Sequence, residues 1–429
     1  MVEIKPIKRV KGEIKIPGDK SITHRAFIFS TISKGESKIV NPNLGDDTKR
    51  TLKIMEDIGA NVFYENDGIR IKGIELKNIK EPKDVLFAGN SGTTIRLLSG
   101  LFSSIENKFF VITGDDSLRK RPMKRVIEPI KLMGGEIYGR EENNFPPIAI
   151  IGKKLKGIEY ELKKPSAQVK SAIILATLNA TSISIIKEKI KTRNHTEIML
   201  KEFGGKIEEK EEKIYVYPDI NLNGREIFVP GDFSSAFYFI FLTLLLEDSE
   251  LLLKDVSLNP IRIYLLNILI KNQAKITILN KKERNGELIG DILVKSSYIK
   301  GLEIKREEAP LMIDELPLLG AIGAFLDEGV KVNGAEELRV KESDRIKVLV
   351  ENLRNLNVEV EEFSDGFFVR KGKDFNKKGF VKTFFDHRIA LSFIVFGLIS
   401  QKGVFLEEVE SIKISFPEFF ELLERIRDA

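Results

Sequence analysis

A strand–turn–helix junction recurs six times along this chain of 429 residues, and any fold open to it must build six equivalent junctions. In each copy strand-like apolar residues lead into a Gly-, Ser- or Asp-containing turn, and an apolar helical pattern follows. The copies read PGDKSITHRAFIF, AGNSGTTIRLLSGLF, KPSAQVKSAIILATL, PGDFSSAFYFIF, APLMIDELPLLGAIG and TFFDHRIALSFIVFG. Ser21, Ser91, Ser166, Ser234, Asp314 and Asp386 mark them, at spacings of 70, 75, 68, 80 and 72 residues. Between them recurs an amphipathic helix, as in DDTKRTLKIMEDIG and KESDRIKVLVENLRN, opened by Asp, Asn, Ser or Pro. Those residue types suit a helix start. The repeating unit is strand–helix–strand–helix–strand–strand, and three units make a half.

The length suits two domains of about 200 residues each. The class is α/β (α+β), with too much strand per unit for a helical solenoid. No low-complexity segment or Pro/Ser-rich linker separates the halves, so they are expected to meet at a cleft. The N-terminal stretch MVEIKPIKRVKGEIKI alternates charged and apolar residues, unlike a signal peptide. The longest mainly apolar run, Ala236 to Leu246, has 11 residues including Thr243, too few to span a bilayer. A cytoplasmic location is expected. With no cysteine there is no thiolate nucleophile and no Cys-ligated metal, and three histidines cannot build a His-rich metal site alone. Net charge is +5, from 69 basic and 64 acidic residues, which is a mixed surface and not a nucleic-acid polycation.

The midpoint copy is almost a transcript of the first: IPGDKS at 16–21 and VPGDFS at 229–234. Ser, Asp and Gly at such turns are helix caps when taken one at a time. The midpoint copy needs only capping and carries Phe233. The first carries Lys20, Ser21 and, one turn on, Arg25. A cation at a helix N-terminus opposes the helix dipole unless an anion sits there. The oddity recurs: Arg96 after GNSGTT, Lys120 and Arg121 in SLRKRPMKR, Lys170 after SAQV, Arg193 before NHTE, Lys341 and Arg345 around KESDR, and Arg388 after Asp386-His387. Arginine clamps phosphate and carboxylate bidentately. Asp314 and Glu342 stand among these cations as caps, ion-pair partners or general acid–base groups. His387 reads as a structural residue. There is no P-loop, dinucleotide fingerprint, metal motif or nucleophile elbow. A site for several anionic groups, without metal or cofactor, is expected.

Taken together, PGDKSITHR, GNSGTTIR, GDDSLRKRPM, SAQVKSA, LRVKESDRI, FFDHRIAL and SFPEFFE resemble the 3-phosphoshikimate 1-carboxyvinyltransferase (EPSP synthase) family, from about residue 4 to residue 425. The resemblance implies two similar domains of three βαβαββ units, shaped like inside-out α/β barrels, with the active site in the interdomain cleft. One would be 19–231, carrying much of the shikimate-phosphate site. The other, 1–18 plus 232–429, would carry Asp314, Glu342, Arg345 and Arg388. Both PGD stretches resemble the places where the chain crosses between domains. The implied reaction moves the enolpyruvyl group of phosphoenolpyruvate to the 5-hydroxyl of shikimate 3-phosphate through a tetrahedral intermediate, releasing phosphate. It belongs to the shikimate pathway, towards chorismate and the aromatic amino acids, and the family is the target of glyphosate.

By motif, Lys20, Ser21, Arg25, Ser166, Gln168, Arg193, Asp314 and Lys341 resemble the family's shikimate 3-phosphate contacts. Lys20, Asn90, Gly92, Arg121, Gln168, Arg345 and Arg388 resemble its phosphoenolpyruvate contacts. Asp314, Glu342 and Lys20 are the catalytic candidates. Neither nucleic acid nor membrane is an expected partner, and a monomer is expected.

The family often has Lys directly before T/S-F-P; here Ile414 stands there and Lys413 one position earlier. If the stretch is extended, neighbours face opposite sides, so the contact is not carried over. Ala167 stands where some members have a second Ser, and Leu97 replaces a common Pro. The sibling transferase acting on UDP-N-acetylglucosamine has Lys-Asn in place of Lys20-Ser21 and usually a Cys. A nucleic-acid-encircling clamp, a rival of another class, would need a broadly basic face with salt-sensitive affinity.

Overall fold

The computed structural model describes residues 1–219, 221–372 and 378–427. Asp428, which ends the last amphipathic pattern, FPEFFELLERIRD, lies outside the described residues. The chain separates into two compact units. One comprises Gly18–Val229 with Arg284–Glu287, and is called here the Lys20 unit. The other, the Asp314 unit, comprises Met1–Pro17, Pro230–Glu283 and Leu288–Ala429.

Residues 284–287 depart from the expected division, which put them with 232–429. They close the hairpin formed by Ile276–Arg284 and Glu287–Lys295. Asn285 accepts the Phe228 N–H at 2.9 Å and donates to the Glu226 carbonyl at 3.0 Å. Glu287 Oε1 lies 2.5 Å from His195 Nδ1. These partners, remote in sequence, place the tip in the Lys20 unit.

Among the described residues of the Lys20 unit lie three four-stranded mixed sheets. One has Leu86–Phe87 parallel to Phe109–Thr113, which runs antiparallel to Phe145–Ile151, with Glu136–Gly139 at the edge. Glu159–Glu161, Ser184–Lys187, Lys213–Val216 and Ile207–Lys210 repeat that arrangement. In the third sheet the leading place is taken by Glu226–Phe228, parallel to Glu36–Val40.

The Asp314 unit mirrors this substitution. Its sheet of Glu250–Ser257, Glu287–Lys295 and Ile276–Arg284 takes its leading strand, Lys11–Lys15, from the start of the chain. Thus each strand running into a PGD turn pairs in one unit, and the helix leaving that turn belongs to the other. The two PGD turns exchange leading strands between the first and fourth repeats. The sixth repeat, Gly379–Val381, His387–Ile399, Val404–Leu406 and Phe419–Ile426, borrows Val2–Ile4 as an antiparallel strand.

Each unit has its own apolar core. The helices after the six junctions fill them: Lys20–Ile32, Gly92–Ser103 and Ala167–Thr177 in one, and Phe233–Leu245, Leu316–Gly323 and His387–Ile399 in the other. Burying each large apolar side chain contributes about 1.5–3 kcal/mol, which explains why these helices are apolar on nearly every face. A Cβ on Gly100 would meet the Ala172 carbonyl oxygen at 2.1 Å. Only glycine lets these two helices approach so closely, and the approach sets their N-termini together. Among the described residues no helix is long and apolar enough to cross a membrane.

Candidate active site

Five of the six core helices are capped by the side chain at their junction. Asp19 accepts from Ile22 N, Ser91 from Thr94 N, Ser166 from Val169 N, Asp232 from Ser235 N and Asp386 from Arg388 N. The sixth, Leu316–Gly323, has Pro in its first turn and no side-chain cap. None of the six has an acidic residue in its first turn. Each such N-terminus carries the positive end of a helix dipole.

In the Lys20 unit, cations and amides gather at three of these termini. Lys20 is the first residue of its helix, and its Nζ lies 3.1 Å from Asp47 Oδ2. Arg25, buried, donates to Thr196 Oγ1 at 2.6 Å, to Ser171 Oγ at 2.9 Å and to the Ser21 carbonyl at 2.8 Å. Burial pulls its guanidinium down to about 10, against support from Glu197 and Asp19. It therefore remains charged at neutral pH. Ser21 is half-buried beside it.

The second terminus holds Asn90, Gly92, Arg96 and Arg121. Asn90 donates to Asp115 at 2.8 Å and accepts from Arg121. Gln168, on the third helix, accepts from Arg96 at 2.6 Å and donates to Thr93 Oγ1 at 3.0 Å. Gly92 leaves room here: a Cβ would sit 2.7 Å from Arg96 NH1 and 3.3 Å from Arg121 NH1. Ser166 caps the third helix, and Arg193 lies half-buried in the loop before His195–Glu202. Lys170 is buried between Glu188 (3.0 Å) and Glu197 (2.8 Å), and also donates to the Thr192 carbonyl. Burial opposes its charge, but the two carboxylates raise its pKa. Lys170 is thus spent on holding the 188–197 loop.

The Asp314 unit gathers acids and arginines. Arg345 Nε donates to Asp386 Oδ2 at 2.8 Å, both groups buried, and its NH2 pairs with Glu342. Asp314 stands 3.9 Å from Arg345 and 3.9 Å from Arg388. Burial disfavours charge on both arginines, yet the carboxylates raise their pKa values: chiefly Asp386 for Arg345 and Asp314 for Arg388. Ser343 donates to Asp386 at 2.9 Å. Lys341 lies half-buried just ahead of Glu342. Asp314 and Glu342 keep 19% and 14% of their side-chain surface exposed, so both are open to solvent while held by cations.

The comparisons with known proteins agree with each other. The family model for EPSP synthase (3-phosphoshikimate 1-carboxyvinyltransferase) matches residues 4–423. Named 3-phosphoshikimate 1-carboxyvinyltransferases from Persephonella marina and Aquifex aeolicus are 44% and 45% identical; the alignments cover 99% and 98% of both chains. A solved EPSP synthase structure from Acinetobacter baumannii is similar with TM-score 0.86 and 37% identity, covering 99% of this chain and 97% of that one. The chain belongs to the EPSP synthase family.

Not every site residue was visible in the sequence of this EPSP synthase family member. Capping alone does not account for the midpoint turn. Instead Arg262, fully buried, donates to Ser234 Oγ at 2.7 Å and lies 3.5 Å from Glu315 and 3.6 Å from Asp232. Ser234 donates to Glu315 at 2.5 Å. The midpoint copy is thus an internal ion cluster, closed by its own cation where the first copy has Lys20. Burial pushes the Tyr238 hydroxyl up to about 12, against a hydrogen bond with Arg388. Tyr238 orients that arginine, a role that an apolar helix pattern hides. Residues Val409–Ile414 form a helical turn, so the extended geometry assumed around Lys413 does not hold. Lys413 is exposed there and Ile414 half-buried.

Proposed function

We propose that the chain transfers the enolpyruvyl group of phosphoenolpyruvate to the 5-hydroxyl of shikimate 3-phosphate and releases phosphate. The supporting observation is the pairing of family membership with helix N-termini rich in Arg and Lys. Two substrates bearing two phosphates and two carboxylates need such termini.

In this reading Ser21, Arg25, Ser166, Gln168, Arg193 and Lys341 hold shikimate 3-phosphate. Asn90, Gly92, Arg121, Gln168, Arg345 and Arg388 hold phosphoenolpyruvate, and Lys20 touches both. Asp314 takes the proton of the 5-hydroxyl as its oxygen attacks C2 of phosphoenolpyruvate. Glu342 and Lys20 deliver a proton to C3, giving the tetrahedral intermediate. Loss of that C3 proton and cleavage of the C2–O bond to phosphate restore the double bond. Arg345 and Arg388 each lie 3.9 Å from Asp314. Phosphoenolpyruvate drawing them to itself raises the basicity of that carboxylate when it is needed.

No metal or organic cofactor enters this scheme, and we place the enzyme as a cytoplasmic monomer. The test is direct: incubate the protein with phosphoenolpyruvate and shikimate 3-phosphate and measure phosphate release. Release with UDP-N-acetylglucosamine and none with shikimate 3-phosphate would overturn the reading.

A further inference from the structure

One buried polar group in the Lys20 unit takes no part in that scheme. His24 sits one turn into the Lys20–Ile32 helix with no exposed surface. Its Nδ1 lies 2.7 Å from Thr51 Oγ1, which lies 2.6 Å from Thr94 Oγ1. The Thr94 hydroxyl donates to Ser91 Oγ at 2.7 Å, and the Thr94 N–H donates to the same oxygen at 3.1 Å.

Counting hydrogens sets the direction of this chain. Each threonine hydroxyl has one hydrogen to give. Thr94 gives its own to Ser91, so it accepts from Thr51. Thr51 gives its own to Thr94, so it accepts from His24. Nδ1 therefore carries a hydrogen. Nε2 is buried with no hydrogen-bond partner among the described residues. A hydrogen placed there as well would lack an acceptor, at a cost of about 1–3 kcal/mol. Burial, reinforced by Lys20 and Arg25, holds the imidazole pKa well below its usual value. The relay ties three elements together: the helix bearing Lys20 and Arg25, the helix Asp46–Asp57 whose Asp47 holds Lys20, and the cap of the helix that begins at Gly92.

We infer that His24 is a positioning residue: as the neutral Nδ1–H tautomer it heads a one-way relay, His24–Thr51–Thr94–Ser91, that locks the Lys20 and Gly92 turns in register. Its effect on substrate rests on the function proposed above; its tautomer does not.

The protein has three histidines, so 15N-histidine labelling gives a readable spectrum. Comparison with His24→Asn identifies the His24 signals. An Nδ1–H neutral pattern at pH 7.5 is expected; an Nε2–H or imidazolium pattern overturns the proposal. Asn offers an N–H near the position of Nδ1, whereas Leu does not. His24→Leu should raise the phosphoenolpyruvate KM about tenfold, the scale of one lost buried hydrogen bond, and His24→Asn should restore it to within about twofold. Equal KM in Leu and Asn variants that melt alike overturns the positioning role. Should the wild-type protein release no phosphate, the function reading fails and the relay is still tested. His24→Leu and Thr51→Val must then be non-additive in thermal melts, and additive losses overturn the relay.

Discussion

Lys20 Nζ and Asp47 Oδ2 are 3.1 Å apart, each at the first turn of its own helix, with 16% and 9% of their side chains exposed. Asp47 suits a helix N-terminus and Lys20 does not. Asp47 thus supplies an internal anion to a cation set against the positive end of its own helix. Lys20→Ala removes an unfavourable charge–dipole contact worth about 0.3–1 kcal/mol but also takes a cation partner from Asp47. The two effects oppose, so the apoprotein should melt within about 1 kcal/mol of wild type by thermal denaturation. Turnover should fall by about 10² or more, since a charge-stabilising donor is lost. A large loss of stability with activity falling only in proportion would make Lys20 structural.

Phe233, the equivalent residue in the midpoint copy, should behave in the opposite way. Its ring is fully buried, 5.6 Å from that of Phe237. Phe233→Ala should cost about 3–5 kcal/mol in urea melts, with kcat of the folded fraction near normal.

Asp314→Asn and Glu342→Gln should each keep substrate affinity within about tenfold and lower kcat by roughly 10²–10⁴. Arg345 keeps Asp386 in either variant, so its placement survives and the loss reports proton transfer. Single-turnover rates check this, and a near-normal kcat removes that residue from the mechanism.

Gly92→Ala tests the room left at the second terminus. Its Cβ would crowd Arg96 NH1 at 2.7 Å, the atom bonded to Gln168. The phosphoenolpyruvate KM should rise about tenfold with a melting temperature near wild type, the cost of one displaced guanidinium bond. Steady-state kinetics with phosphoenolpyruvate varied measures it.

Much of this site could be read from the sequence because local chemistry recurs. A helix start demands a cap, so Ser91, Ser166 and Asp386 mark their junctions as caps, the PGD turns marked by Ser21 and Ser234 are capped two residues earlier by Asp19 and Asp232, and the cations beside them break the local rule. What stayed hidden depends on partners brought together only by folding. Arg262 lies in an amphipathic stretch, NPIRIYLLNILI, where one cation passes for a solvated charge. Its acids, Asp232 and Glu315, come from other junctions. The 284–287 tip reads as an ordinary hairpin, because strand alternation is silent about where a turn's side chains find acceptors. The turn at Lys413 is hidden for a simpler reason: six residues of helical turn carry no periodic signal distinct from a short strand.

Arg262 makes a prediction of its own. Arg262→Met should destabilise the protein by about 3–5 kcal/mol, because Glu315 and Asp232 are buried and lose a cation 3.5–3.6 Å away. Adding Glu315→Gln should recover part of that loss in urea melts. No recovery in the double variant would mean that the guanidinium acts by packing alone.

The pH dependence of stability follows from His24. Its folded-state pKa lies well below the usual 6.5, burial being the main cause. Above pH 6.5 both folded and unfolded states are neutral at this group, and it adds no slope. As pH falls below 6.5 the unfolded state binds a proton that the folded state refuses. Stability from this group is then lost at up to about 1.4 kcal/mol per pH unit, until the folded pKa is reached. His24→Asn abolishes the term and leaves every carboxylate in place. Urea melts of both proteins at pH 7.5, 6.5 and 5.5 should therefore run parallel between the first two values and converge or cross by the third, with wild type losing more. Parallel curves throughout would show that folding leaves the His24 pKa unshifted, and a wild type that gains on the variant as pH falls would show that the folded protein holds the proton and that the hydroxyl relay runs with a charged head.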